Sequence, residues 1–277
     1  MRQTLLDEKC GQVRRMLREL QSVAVAFSAG VDSALLLKIA VDTLGATKVV
    51  AVTGRSDSLA PAELDEAGKL AALLGVEHVI LDTCEFDDPS YTANPSNRCY
   101  FCKTALYTQL KRFIAERGIR AIASGTNADD LGDFRPGIQA GKEHDVCSPL
   151  AEAGITKAEV RELSRRFGLP THDKPAAPCL SSRIPYGESI TPEKLRMIER
   201  GEAFLRETFG VRECRVRHHD NLARIEVPES FISLVAEPQN AARIDRHFRS
   251  LGYAYVALDL RGFRSGSLNE VIATHER

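Results

Sequence analysis

Short apolar segments alternate with longer helix-like segments through the first half of the chain. The apolar segments have the length and composition of buried strands, and the segments between them carry Ala and Leu at helical spacing. Strands that alternate with helices form a parallel sheet with crossover connections, so the pattern predicts an α/β fold with helices on both faces of the sheet. We predict strands at Val23–Phe27, Val49–Thr53, His78–Leu81 and Ala121–Ser124, and helices at Ser33–Leu44, Pro61–Leu74 and Lys103–Arg117.

A different texture follows a proline-rich segment. A helix over Thr156–Phe167 begins with a threonine cap and has Glu159 at capping-box distance. Leu169–Pro178 then carries three prolines, which break regular structure. We predict two domains, 1–180 and 181–277, the second a smaller α+β domain. Its predicted elements are a helix at Thr191–Phe209, strands at Cys214–His218 and Ala223–Val227 forming a hairpin, a helix at Asn240–Leu251 capped by Asn240, and a closing strand at Tyr253–Leu260.

Composition excludes several classes of protein. The 277 residues are 43% hydrophobic and 27% charged with a net charge of −1, which argues against a surface that binds nucleic acid. No apolar run approaches the length needed to span a membrane, and the first twenty or so residues lack the apolar core of a signal peptide. Seven cysteines without an export signal indicate free thiols or metal ligands. We therefore expect a cytoplasmic protein with neither a nucleic-acid nor a membrane partner.

The segment Ser28-Ala29-Gly30-Val31-Asp32-Ser33 joins the first strand to the first helix. A helix N-terminus has unpaired N–H groups and partial positive charge, so it can bind an anion, and the two serines add hydroxyl donors. The segment is neither a Walker loop nor a G-x-G-x-x-G fingerprint. It resembles the S-G-G-x-D-S pyrophosphate loop (PP-loop) of ATP pyrophosphatases, with Ala29 at a position usually occupied by glycine. A plain Ser/Gly turn is the alternative, and it leaves the whole strand–loop–helix string unexplained.

Three cysteines form the second signal. Cys99 and Cys102 make the only C-x-x-C of the chain, and a tight turn with that spacing brings two sulfurs to one side, where they can bind one metal centre. No second C-x-x-C completes a structural zinc site, and redox use of the pair stays open. Cys179 stands in Pro178–Gly187. The remaining cysteines are interpreted as ordinary thiols: Cys10, Cys84, Cys147 and Cys214.

Taken together, these segments resemble the LarE-type sulfur transferases, which act on pyridinium-3,5-biscarboxylic acid mononucleotide in nickel-pincer nucleotide biosynthesis. The resemblance implies a Rossmann-like PP-loop domain (adenine nucleotide alpha hydrolase-like), with ATP and Mg²⁺ as cofactors, a small mononucleotide substrate and a homo-oligomer. It runs nearly end to end and rests on Ser28–Ser33, Arg98–Lys103, Ser124–Asp130, Asp133–Gly137, Pro178–Gly187, Arg215–His219 and Asp259–Glu270.

The resemblance also implies roles for individual residues. The cysteine matching Cys179 delivers sulfur, either sacrificing its own atom or, in members with the additional C-x-x-C, joining Cys99 and Cys102 around a [4Fe–4S] cluster. The three cysteines of this chain fit the second type, with repeated turnover. Asp32 is a catalytic candidate that holds Mg²⁺ or the loop geometry. The candidate nucleotide and substrate contacts are Ser28, Gly30, Val31, Asp32, Ser33, Thr53, Gly125, Thr126, Asn127, Arg183, Arg215, Arg217 and Arg264.

The arginines are candidates because guanidinium groups match phosphate and carboxylate oxygens. Alternation along a strand places Arg215 and Arg217 on one face. Glu226, on the facing predicted strand, either orients one of them or forms a plain salt bridge. His218 and His219 are interpreted as residues on the surface of the hairpin.

Three other functions stay open. A tRNA thiolase shares the loop and a three-cysteine cluster, although paired zinc ribbons and a strongly positive charge are missing. An amide-forming ligase related to NAD or GMP synthetase leaves the cysteines unexplained. A non-catalytic sensor of adenine nucleotides would bind ATP without releasing pyrophosphate.

Overall fold

The computed structural model describes residues 2–132 and 136–264. Two of the segments quoted above lie partly outside these ranges, namely residues 133–135 and 265–270. The chain forms two compact units, the first comprising Met1–Tyr91 and Ser96–Ala177, and the second comprising Thr92–Pro95 and Pro178–Arg277.

The first unit is built on a parallel sheet. Its strands are β1 (Val23–Ala26), β2 (Val49–Arg55), β3 (Glu77–Asp82) and β4 (Ala121–Ser124), in the order β3-β2-β1-β4. All three pairings are parallel, with Val23 opposite Val49 on one side and Ala121 on the other. This arrangement confirms the predicted α/β fold. The helices of the unit are α1 (Arg2–Leu20), α2 (Val31–Leu44), α3 (Pro61–Leu73), α4 (Pro89–Thr92), α5 (Arg98–Arg117), α6 (Pro136–Glu143), α7 (Pro149–Glu152) and α8 (Lys157–Arg166); α4 ends one residue beyond the boundary of the unit.

Helices cover both faces of this sheet. Successive side chains of a strand point to opposite faces, and β1 shows it clearly. Val23 and Val25 pack into a core cluster with buried residues of α1, α2, α3 and α8. Ala24 packs into a second cluster that includes Tyr107 of α5 and Ala140 of α6. A sheet buried on both sides places its ligand sites at the carboxyl ends of the strands, where the connecting loops emerge.

Helix α1 is not among the predicted helices, and α5 begins earlier than predicted. The amphipathic N-terminal segment forms α1, whose buried residues Leu6, Cys10, Val13 and Leu17 recur every three or four positions. Helix α5 begins at Arg98 rather than Lys103, so the C-x-x-C spans its first two turns rather than a tight turn before it.

The second unit contains a three-stranded sheet in the order β5-β6-β7. Strands β5 and β6 pair antiparallel and confirm the predicted hairpin, whereas β7 joins β6 in parallel. Asn240 is not the cap of the last helix, because that helix begins two residues earlier behind Glu237, with Pro238 in the first turn, where the missing N–H of proline is tolerated. The elements of this unit are α9 (Pro192–Phe209), β5 (Arg215–His219), β6 (Leu222–Glu226), α10 (Glu229–Ala236), α11 (Pro238–Leu251) and β7 (Tyr255–Leu258).

His218 is buried, which corrects its interpretation as a residue on the surface of the hairpin. Only 2% of the residue is exposed. Its Nδ1 lies 3.1 Å from the hydroxyl of Tyr253, and its Nε2 is buried with no hydrogen-bond partner in the structure. Burial, reinforced by the charge of Lys194, lowers the pKa of His218 to about 4. The imidazole is therefore neutral in the folded protein between about pH 4 and 6.5, where a solvated histidine would be charged.

This burial predicts acid sensitivity of the fold. Between pH 6.5 and about 4 the unfolded chain binds a proton at His218 that the folded chain does not. The contribution of His218 to the free energy of unfolding is therefore fully present above pH 6.5 and is lost as the pH falls towards 4. The loss amounts to about 3 kcal/mol at 1.36 kcal/mol per pKa unit. Urea unfolding measured across this range is expected to show a shallower pH dependence for His218→Gln than for the wild type. If the free energy of unfolding depends on pH equally in His218→Gln and in the wild type, the prediction is contradicted.

Candidate active site

The PP-loop leaves the carboxyl end of β1 and enters α2 at Val31. Ala29 is buried and has φ 53°, the left-handed conformation that glycine adopts freely and that costs an L-residue roughly 1–2 kcal/mol. The hydroxyl of Ser33 holds the turn through two hydrogen bonds. The N–H of Ser28 donates to Ser33 Oγ at 3.3 Å, and Ser33 Oγ donates to the carbonyl of Gly30 at 3.2 Å. The loop therefore keeps the backbone geometry expected of a glycine at this position, with alanine in its place.

Asp32 lies in the first turn of α2, and both of its carboxylate oxygens accept hydrogen bonds. Asn127 Nδ2 donates to Oδ1 at 3.1 Å, and Lys157 Nζ donates to Oδ2 at 2.5 Å. Asn127 is itself 2% exposed and follows β4. The structure thus brings together the loop, the segment after β4 and the beginning of α8.

Gly125 packs directly against the loop. A Cβ atom at this position would lie 2.6 Å from the backbone nitrogen of Ser33 and 2.9 Å from the carbonyl carbon of Asp32, closer than Cβ atoms approach backbone in proteins. Its neighbour Thr126 shares a hydrogen bond with the hydroxyl of Ser124 at 3.0 Å. Of the sequence-predicted site residues, Ser28–Ser33 and Gly125–Asn127 therefore converge at the N-terminus of α2.

Thr53, which the sequence predicts as a nucleotide contact, is buried against the protein. Its hydroxyl donates to the carbonyl of Phe27 at 2.7 Å and lies 2.8 Å from Nε2 of His78. Burial lowers the pKa of His78. Thr53 thus supports the last residue before the loop.

Two lysines beside the loop were missed by the sequence analysis. Lys157 binds Asp32, as described above. Lys174 Nζ lies 3.4 Å from the carbonyl of Ala29 and 2.7 and 2.6 Å from carboxylate oxygens of Glu63 and Glu66. Burial lowers the pKa of Lys174, but its hydrogen bonds to the two carboxylates outweigh that effect and hold the pKa above its usual value. Lys174 lies in the proline-rich segment Leu169–Pro178, whose sequence pattern predicts only a domain boundary.

The C-x-x-C cysteines lie one helical turn apart, so their side chains emerge on the same side of α5. Cys99 is exposed and Cys102 is half-buried. Helix α6 packs closely on this turn, since a Cβ at Gly137 would lie 3.5 Å from the carbonyl oxygen of Cys99. Within residues 2–132 and 136–264, no group of three or more His, Cys, Asp or Glu side chains is positioned to hold a metal ion.

Cys179, in the second unit, is exposed and precedes a single 3₁₀ turn, Leu180–Arg183. Arg183 binds the backbone of this segment through hydrogen bonds. Its Nη1 donates to the carbonyls of Pro178 and Cys179 at 2.6 and 3.0 Å, and its Nε and Nη2 donate to the carboxylate of Glu202 at 2.8 and 3.0 Å. The substrate contact predicted for Arg183 stays a prediction, whereas its described contacts position the backbone of Cys179.

The buried pair Arg183–Glu202 is strongly coupled. Burial raises the pKa of Glu202, yet the guanidinium of Arg183 overcomes that effect and holds it below the usual value. Cys214 lies next to this pair, and burial raises the pKa of its thiol to about 12. Cys214 is therefore a neutral, buried thiol, as its surroundings in the sequence suggested.

Two further arginine candidates, Arg215 and Arg217, lie on β5. Arg217 Nη2 donates to the fully buried Glu226 at 2.8 Å, so the glutamate on the facing strand forms a salt bridge with one member of the Arg-x-Arg pair. The guanidinium of Arg215 lies 4.9 Å from the ring centre of Phe263. Burial, followed by repulsion from Arg183, lowers the pKa of Arg215.

Arg264, the remaining arginine candidate, closes the turn after β7. Its Nη1 donates to the carbonyl of Gly262 at 2.8 Å and to Asp259 at 3.3 Å. Gly262 has φ 69°, and a Cβ there would lie 2.7 Å from the carbonyl oxygen of Val227. The turn is therefore fixed against the end of β6.

No helix in the described ranges combines the length and the apolar character needed to cross a membrane. A scan against protein families finds no matching family.

Comparison with individual proteins finds relatives over nearly the whole chain. An uncharacterised protein of Synechocystis is 46% identical over 97% of this chain and 99% of its own length. The pyridinium-3,5-bisthiocarboxylic acid mononucleotide synthase of Lactiplantibacillus plantarum is 39% identical over 92% of both chains. An argininosuccinate synthase of Halobacterium salinarum matches 54% of this chain and 40% of its own length at 28% identity. With this sheet and loop, and with that identity over almost its full length, the chain belongs to the pyridinium-3,5-bisthiocarboxylic acid mononucleotide synthase family of PP-loop enzymes.

Proposed function

We propose that this protein is an ATP-dependent sulfur transferase that converts the carboxylates of pyridinium-3,5-biscarboxylic acid mononucleotide into thiocarboxylates. The observation that carries the proposal is the loop at the N-terminus of α2, where a left-handed Ala29 and the Gly125 contact hold the backbone in place. The helix N-terminus supplies N–H donors and partial positive charge for a polyphosphate. The mononucleotide name of the 39%-identical relative supports the choice of substrate.

The first half-reaction activates a carboxylate, which is otherwise a poor acceptor of sulfur because its leaving group would be oxide. A substrate carboxylate oxygen attacks the α-phosphorus of ATP, and the bond to the bridging oxygen breaks. Pyrophosphate leaves, and the substrate becomes an acyl-adenylate. The loop residues hold the phosphates, and the guanidinium groups of Arg215 and Arg217 are the donors that we propose for the anionic substrate.

The second half-reaction forms the carbon–sulfur bond. A sulfur nucleophile adds to the acyl carbon, AMP leaves with the bonding electron pair, and the thiocarboxylate remains. In the sacrificial route the sulfur is Cys179 Sγ, and loss of the Cβ–S bond afterwards leaves dehydroalanine. In the catalytic route, which we propose for this chain, Cys179 is retained. Its thiol is exposed, and its backbone is fixed by Arg183.

A [4Fe–4S] cluster on Cys99, Cys102 and Cys179 is part of this proposal. Thiolates are the usual ligands of such clusters, and the first two cysteines present sulfurs one turn apart on α5. When bound, a cluster with three cysteine ligands leaves one iron that can carry sulfide.

Mg²⁺ fits Asp32 poorly. Both carboxylate oxygens of Asp32 already accept hydrogen bonds, one of them from an ammonium group. Mg²⁺ commonly binds substrate phosphates together with one or two carboxylates, and we assign Asp32 to the geometry of the loop.

Product analysis tests the proposed function. Purified protein supplied with ATP, Mg²⁺ and the bis-carboxylic mononucleotide is expected to form AMP and pyrophosphate, separable by chromatography. ADP and phosphate would refute the assignment, and nucleotide binding without cleavage would favour the sensor. Bulk tRNA in place of the mononucleotide is the control for the thiolase alternative, and it is expected to be neither retarded in a gel nor thiolated.

We also propose that the protein acts in the cytoplasm as a homo-oligomer. None of the seven cysteines, all of which lie within the described ranges, forms a disulfide bond, as is typical of proteins in reducing compartments. Light scattering coupled to size exclusion measures the oligomeric state.

A further inference from the structure

The PP-loop contains a carboxylate close to where it would receive phosphates. Asp32 is the second residue of α2, so its negative charge lies within the first turn, whose N–H groups bind the anion. No residue from Ser28 to Ser33 is cationic. An uncompensated carboxylate at this position would repel a triphosphate, because charges that are partly shielded from water interact more strongly than charges in bulk solvent.

Lys157 supplies the compensation from 125 residues away in the sequence. Its ammonium lies 2.5 Å from Asp32 Oδ2. Its backbone is also fixed, since its N–H donates to Asp129 Oδ2 at 2.8 Å and it follows Thr156, the cap of α8. On the other side of Asp32, Asn127 donates to Oδ1. The carboxylate is thus held between an amide and an ammonium that both come from outside the loop.

The ion pair between Lys157 and Asp32 contributes little to the stability of the fold. The side chains of Lys157 and Asp32 are 39% and 23% exposed, and ion pairs with that much exposure contribute little to folding. The consequence for an incoming anion is larger, because removing the ammonium leaves a bare carboxylate in the helix turn that binds phosphate.

We propose that Lys157 is a positioning residue for nucleotide binding, which neutralises Asp32 and holds its carboxylate against Asn127 so that the N-terminus of α2 can accept a triphosphate. The proposal rests on the proposed ATP chemistry of the loop. It assigns Lys157 an action through Asp32 rather than a contact with the phosphates.

A double-mutant cycle on binding tests this assignment. The probe is α,β-methylene-ATP, which cannot be cleaved at the α–β position, and its dissociation constant is measured by calorimetry. Lys157→Met is expected to weaken binding about 30-fold, as expected for an uncompensated charge near the ligand. In the Asp32→Asn background the same substitution is expected to change binding by less than about threefold. Lys157→Arg, which keeps the charge, is expected to restore most of the affinity.

The chain offers a matched control in a second lysine–carboxylate pair that also involves α8. Lys9 pairs with Glu159 of α8 at 2.8 Å, with side chains 21% and 26% exposed. Lys9→Met removes an equal charge and an ion pair of similar exposure, and it is expected to leave the dissociation constant unchanged. Raising the ionic strength is expected to shrink the effect of Lys157→Met, since repulsion between accessible charges is screened by salt.

Several outcomes would overturn the proposal. Equal weakening in both backgrounds would show that Lys157 touches the phosphates directly. A lower melting temperature with unchanged affinity would reduce Lys157 to a structural residue. Loss of Mg²⁺-dependent binding in Asp32→Asn alone would make Asp32 a metal ligand. If the wild type fails to bind the analogue, the proposed ATP chemistry fails and this inference falls with it, whereas binding without coupling refutes the inference alone.

Discussion

Replacing Cys179 by alanine is expected to lower the rate of sulfur transfer by about 10⁴-fold or more, the scale seen when a catalytic nucleophile is removed. Adenylation, followed as substrate-dependent exchange of pyrophosphate into ATP, is expected to stay within about threefold of the wild type. Cys179 is exposed and is not part of the core, so its loss leaves the fold intact. Cys84→Ala is the control, because Cys84 is also exposed and lies outside the segments that carry the family resemblance.

The same assay separates the two sulfur routes. Wild-type protein loaded anaerobically with iron and sulfide is expected to form more than one thiocarboxylate per chain, and mass spectrometry is expected to find Cys179 unchanged. Product capped at one equivalent, together with loss of the mass of hydrogen sulfide at Cys179, would establish the sacrificial route and make the C-x-x-C a bystander.

Gly125→Ala is expected to disable the nucleotide site. The added methyl would overlap the backbone of Ser33 and Asp32, and backbone cannot move aside as a flexible side chain can. We expect a loss of about 1–3 kcal/mol in the free energy of unfolding and a fall of about 100-fold in kcat/KM for ATP, since misplacement of a site by 1 Å has that effect.

Gly132 provides the matched control for this substitution. A Cβ at Gly132 meets no atom within 4 Å, so Gly132→Ala adds the same methyl in the same region of the chain without a clash. If both variants bind and cleave ATP like the wild type, the close approach of Gly125 to the loop has no functional importance.

Local sequence patterns predict most of the strands of the first unit and one of its helix caps. Three strands of the parallel sheet, β1, β2 and β4, are short and largely buried apolar runs, and β4 matches its predicted bounds of Ala121–Ser124. The capping box of α8 was also predicted, and Thr156 and Glu159 make both of its reciprocal hydrogen bonds. These features depend on residues within a few positions of one another, which is the range over which a sequence pattern carries information.

The residues that were missed depend on contacts between distant segments. Lys174 reaches Glu63 across 111 positions, and no local pattern distinguishes it from a solvated lysine. His218 was misplaced because four of the five residues of β5 are buried, so the alternation that identifies an outward-facing residue is absent. Ala29 was recognised as unusual in the sequence, but only the backbone angle shows that the left-handed conformation is adopted.

The division of the chain into units has a practical consequence for dissecting the protein. Asn94 belongs to the second unit although it lies between the two segments of the first in the sequence. It is fully buried there, with its side-chain amide donating to the carbonyls of Ile184 and Pro185 and its own carbonyl accepting from Gly187. A recombinant fragment that starts at Pro178 would lack Asn94 and would leave the backbone groups of Ile184, Pro185 and Gly187 without these hydrogen bonds. Each unit consists of two separate segments of the chain, so a single truncation isolates neither of them. Truncation experiments would therefore report misfolding. Point substitutions are the appropriate way to separate the two half-reactions.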